Sequence, residues 1–194
     1  MKGETVNPEI GRMSFDELGA VIAEYEFAEE PYNQALFVNR GHDDPDFPTI
    51  SGQDLADWKK EFPRVDDTIV AQLKENHQAA QERIVESLGL EDAEVVPGLV
   101  YAFNQEKNRQ NIEQDDNMPD GLWKGLVISS SPFAHEPLGY LQGIITMAKL
   151  TGRSYTVSTG FNNGYEEVSP TDSIEDILPK LQELGLVLPD SNKY

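Results

Sequence analysis

Ile69, Leu73, His77, Ala80, Ile84 and Leu88 recur at three- and four-residue steps, which puts them in one stripe along a helix. The pattern predicts a helix over Asp67 to Leu88, with Gly89 as the left-handed residue that closes it. Leu18, Val21, Ile22 and Tyr25 repeat the same spacing behind Ser14-Phe-Asp-Glu17. That tetrapeptide has capping-box chemistry, so a helix is expected from Phe15 to about Phe27. Pro31 would end it or separate it from a short second turn, Tyr32 to Phe37. Asn39 to Gln53 is rich in Gly, Asp and Pro and reads as a loop. Asp54 to Phe62 is a short helix that Pro63 stops.

The second half changes character. Glu94 to Phe103 and Leu122 to Ser129 are runs of β-branched and aromatic residues and predict strands, the first at an edge or with a delayed start because of Pro97. Between them, Asn104 to Gly121 has only two aliphatic residues and reads as an exposed loop or frayed helix. Pro137 to Leu150 is helical and nearly apolar all round, with Gly139 and Gly143 four apart to allow a close approach to a sheet. Ser154 to Phe161 follows as a strand. Asn162 to Gly164 is turn chemistry, and Tyr165 to Val168 is suited to return antiparallel. Ser173 caps a last helix, with Asp176 three residues on and Gly185 at its end.

These elements predict an α/β or α+β class: a helical N-terminal half packed with a mixed β-sheet. The sheet has strands near 94–103, 122–129 and 154–161, and helix 137–150 completes a βαβ unit. A single domain over 1–194 is expected, with a helical segment over about 1–90 and a sheet-containing segment over about 91–194.

Charge sharpens this division. The net charge is −20. Residues 1–50 hold eleven acids against three bases, and residues 51–100 eleven against five, so −14 of it lies in the first half. Such a balance opposes direct nucleic-acid binding, since the phosphate backbone is repelled. It favours a basic protein partner or a larger assembly. No run approaches the roughly 18 apolar residues of a membrane span. The polar N-terminus lacks signal-peptide character, so a cytoplasmic location is expected. There are no cysteines, which excludes disulfides and thiolate chemistry and suits a reducing compartment.

Three groups of residues carry candidate chemistry. Glu24, Glu26, Glu29 and Glu30, with Asp43, Asp44 and Asp46, form an acidic face suited to a basic partner. The expected role is a soluble interaction protein: an inhibitor, an immunity-type protein or an assembly subunit. The alternative is a small enzyme acting on a phosphorylated or nucleotide ligand. Its site would be Ser129, Ser130, Ser131 and His135 between a strand end and a helix N-terminus, where free N–H groups favour an anion. Ser130, His135 and Glu136 are the catalytic candidates there, with His135 to bind phosphate or move a proton and Glu136 to orient it. His42 with Asp43, Asp44 and Asp46 lacks the glycine and the final glutamate of a calcium loop, and reads as an ordinary acidic loop. No metal or cofactor is expected. His77, inside an apolar stripe, reads as a buried, hydrogen-bonded histidine rather than a catalytic one.

Overall fold

The computed structural model describes residues 13–44, 52–113, 125–128, 137–160 and 164–188. Among these residues there are six helices, covering 71%, and a three-stranded mixed sheet, so the class is α+β. In chain order they are α1 (Phe15–Asp43), α2 (Gln53–Glu61), α3 (Asp67–Leu88), α4 (Val95–Glu113), β1 (Leu126–Val127), α5 (Pro137–Thr151), β2 (Tyr155–Ser158), β3 (Glu166–Val168) and α6 (Ile174–Glu183). Two compact units result: Ala20–Ser87, and Met1–Gly19 with Leu88–Tyr194. None of these helices is long and apolar enough to cross a membrane.

In the larger unit β2 is the central strand. It pairs in parallel with β1, Leu126 facing Val157, and antiparallel with β3, Tyr155 facing Val168. The parallel pair flanks α5, as the βαβ reading requires. Pro137 is the first residue of α5, where its missing N–H leaves no intrahelical bond unmade. Ile144, Ile145, Met147 and Ala148 are buried behind it. At the start of α6, Asp176 accepts hydrogen bonds from the Ser173 backbone N–H at 2.9 Å and from the Ser173 hydroxyl at 2.8 Å. Ile177 and Leu181 are buried on that helix, and Gly185 follows it with φ of 94°.

The strand expected at 94–103 is instead the first half of α4. Its buried residues are Val96, Leu99, Val100 and Phe103, which is helical spacing. Pro97 falls in the first turn, where its missing N–H is harmless. The β-branched residues of this run serve a helix because tertiary burial outweighs their weak β preference. The helix continues to Glu113, so 104–113 is helical rather than loop. The close approach allowed by Gly139 and Gly143 is to α4, not to the sheet. A Cβ on Gly98 would collide with the Gly139 backbone, and one on Gly143 with the Gly98 backbone. In the same unit, Phe15 stacks on Phe103 at 4.4 Å, and the Met13 N–H donates to the Leu150 carbonyl at 3.0 Å.

The smaller unit takes most of α1, all of α2 and most of α3. At the start of α1 the expected cap is present. The Ser14 N–H donates to Glu17 Oε2 at 2.7 Å, and the Glu17 N–H to Ser14 Oγ at 3.1 Å. The helix does not stop at Pro31. Phe27, whose carbonyl loses its partner to that proline, is 83% exposed, so water can satisfy the oxygen. Beyond the proline, Ala35 and Asn39 are buried and hold the chain helical to Asp43. The stripe on α3 is buried at Ala80 and Ile84, but Ile69 at its start is 54% exposed.

Candidate functional site

Glu26, Glu29, Glu30, Asn33, Gln34, Phe37 and Val38 follow one another at three- and four-residue steps, and therefore share one face of α1. That face is one wall of an open groove of about 910 Å3. The opposite wall is Trp58 of α2 and Phe62 just beyond it. One end of the groove is acidic, the middle carries two amides and the far end is aromatic. No lysine or arginine lines it among the described residues.

The aromatic end is a built cluster. Phe37 meets Trp58 edge-on with centroids 6.4 Å apart, and Trp58 lies 5.6 Å from Phe62 and 5.8 Å from His42. Polar bonds fix the chain that carries it. The Asn39 amide donates to the Val65 carbonyl at 3.0 Å and accepts from the Val65 N–H at 2.8 Å. The His42 ring nitrogen Nε2 lies 2.8 Å from the Phe62 carbonyl oxygen, and Lys59 Nζ donates to the His42 carbonyl at 3.3 Å. Arg64 reaches Asp43 at 3.3 Å and Asp67 at 2.9 Å. The end of α1 and the 62–65 segment are thus tied together, which sets the groove's width where the aromatics sit.

The acidic end is also positioned. Glu29 Oε1 accepts from the Tyr25 hydroxyl at 3.1 Å, and His77 Nε2 lies 2.9 Å from that hydroxyl. With its one proton on Glu29, the hydroxyl is left to accept from His77. Tyr32 stacks on the His77 ring at 5.5 Å. Burial, followed by the Glu29 charge, pushes the Tyr25 phenol well above its ordinary range. Glu30 accepts from the Gln34 amide at 3.0 Å. Glu26 has like-charged neighbours three and four residues on, an arrangement that costs a helix roughly 0.2–0.5 kcal/mol per pair.

The acidic candidates therefore separate. Glu26, Glu29 and Glu30 come together on the groove. Glu24 is exposed on another face of α1, against a small cleft that includes Arg83 and Ser87. Asp43 is held by Arg64 and Asp44 by Arg40, while Asp46 lies outside the described residues. The expected helix boundary moves with them: Asp43 ends α1 instead of standing in a loop. Among the described residues no three His, Asp or Glu side chains converge as a metal site. Ser129, Ser130, Ser131, His135 and Glu136 lie outside the described residues. His77 is largely buried and hydrogen-bonded, at 18% side-chain exposure.

Sequence reasoning missed Phe37, Trp58 and Phe62. The available signal was the alternation on α1 itself, since Phe37 continues the stripe begun by Glu26 and Glu30. No family model, no curated protein and no solved structure matches this chain.

Proposed function

We propose that this protein is a binding module whose groove on α1 and α2 receives a basic segment of a partner protein. The observation that carries this reading is the meeting of three carboxylates with an exposed aromatic cluster in one groove. Phe37 is 53% exposed and Phe62 42%, and both lie against Trp58. Apolar surface held open in this way is what a partner covers.

Magnitudes divide the roles. An exposed ion pair contributes about 0–1 kcal/mol, so three of them supply little affinity. Covering two half-exposed phenylalanines contributes roughly 2 kcal/mol, and a cation held over the Trp58 face about 0.5–1 kcal/mol more. Affinity then rests chiefly on the aromatics, while the carboxylates and the wider charge of −20 speed encounter and reject acidic competitors. The same charge argues against direct binding of nucleic acid. A chain without cysteine is suited to the cytoplasm.

The test is a titration with two peptides of equal length, one amphipathic and lysine-rich, the other its glutamate counterpart. The basic peptide should bind with an association rate that falls steeply with salt. Glu26→Gln, Glu29→Gln and Glu30→Gln together should remove most of that salt dependence. Equal binding of both peptides, or indifference to the triple change, refutes the reading.

A further inference from the structure

We infer that the partner segment is an amphipathic helix with a large apolar side chain at one end of its binding face and lysine or arginine two to three turns away on that same face. This rests on the basic-partner reading and adds a register to it. Phe37 follows Glu30 by seven residues and Glu26 by eleven on one helix face. At 1.5 Å per residue these separations are about 10 and 16 Å. Trp58 and Phe62 cluster at the Phe37 end, so the aromatic and acidic ends are distinct places rather than one mixed surface. Between them Asn33 and Gln34 offer neutral donors and acceptors to the rim of a ligand.

The groove walls decide the ligand's conformation. They are helices, whose backbone N–H and C=O groups are already paired internally. An extended segment laid between them finds no sheet edge, and its own backbone groups there lose their partners. A helix arrives with those groups satisfied and presents side chains at the same spacing as the wall it meets. The anchor enters the Phe37–Trp58–Phe62 end, and bases at seven and eleven residues from it reach Glu30 and Glu26.

Three synthetic helices of identical length test this on the full chain, followed by fluorescence anisotropy of a label on each peptide. The first carries Trp at position i with Lys at i+7 and i+11. The second moves the lysines to i+5 and i+9, off that face. The third keeps the first pattern of lysines and replaces the Trp by Ala. The first should bind at least tenfold more tightly than the third and about fivefold more tightly than the second, since exposed ion pairs add less than the anchor, and Phe37→Ala should bring it down to the level of the third. Phe37 is half exposed, so this variant keeps the fold. If the first and second peptides bind within twofold of each other, with salt-sensitive affinity, the register is wrong and the basic-partner reading survives. If none of the three binds, both fall.

Discussion

The side-chain amide of Asn39 and the backbone of Val65 exchange two hydrogen bonds, 3.0 and 2.8 Å long, across 26 residues of sequence. The pair acts as a clamp: it bridges α1 to the segment after α2 and lets the Phe37, Trp58 and Phe62 rings share one end of the groove. Each bond is worth about 1 kcal/mol net, and both Val65 groups lose their partner together. Asn39→Ala should therefore lower the stability of the chain by about 2 kcal/mol in urea unfolding. Peptide binding should weaken more than the stability loss alone explains, because the aromatic cluster loses its brace. A variant with unchanged urea midpoint would mean the clamp is not holding the structure.

Three glycines of α4 and α5 separate packing from propensity. A methyl at Gly98 or Gly143 would overlap backbone of the opposing helix, and backbone cannot turn aside as a side chain can. A methyl at Gly139 meets nothing within 4 Å among the described residues. Gly98→Ala and Gly143→Ala should each destabilise by about 3 kcal/mol, the upper range for forced overpacking. Gly139→Ala should instead stabilise by roughly 0.5–1 kcal/mol, the gain expected from alanine in a helix. Thermal melts of the three variants should move in these opposite directions. A common direction for all three would show that the helices do not meet at Gly98.

The Gly98 crossing also explains where the sequence was legible and where it was not. Caps at Ser14 and Ser173 and the positive-φ glycines at 89 and 185 depend on local chemistry, which can be read, and the parallel pair, although its partners lie far apart in sequence, follows from the strand–helix–strand order around α5. In segment 94–103 the spacing of Val96, Leu99, Val100 and Phe103 is helical while the β-branched composition points to a strand, and the two local signals conflict. That Gly139 and Gly143 face a helix follows only once 94–103 is helical. In the candidate site, Glu26, Glu29 and Glu30 stood out by charge. Trp58 and Phe62 did not, because the bonds that place them, from Asn39 and His42, link residues 20 or more apart.

Position on α1 now distinguishes glutamates that composition treats alike. Glu26, Glu29 and Glu30 line the groove, whereas Glu24 does not. Converting the first three to glutamine should slow association with a lysine-rich helix by about tenfold at low salt, the lower end of electrostatic steering. Glu24→Gln alone should change it little. Stability should hold or rise slightly, since the Glu26 repulsions disappear. Stopped-flow rates at two salt concentrations read the effect. Equal slowing by Glu24→Gln would place the attraction in the overall charge and not in the groove.

Alkaline pH should unfold the protein through its buried tyrosines. Tyr25 is 2% exposed, Tyr140 0% and Tyr155 6%. Burial is the leading cause that raises all three phenols above their ordinary value of 10.0; the charge of Glu29 adds to it at Tyr25, and a bond to Thr151 partly opposes it at Tyr155. The folded values lie above the unfolded one, so the contribution to stability is intact below about pH 10 and is lost as pH rises beyond it, where only the unfolded chain ionises. Three phenolate absorbances should therefore appear together with the loss of helical circular dichroism. Tyr140 adds a second handle, because its buried hydroxyl has no hydrogen-bond partner among the described residues. An unsatisfied buried hydroxyl costs about 1–3 kcal/mol, so Tyr140→Phe should raise stability at neutral pH by about 1 kcal/mol and move the alkaline transition upward. A loss of stability in Tyr140→Phe would mean that the hydroxyl is bonded in the folded protein and would locate a contact at that end of α5.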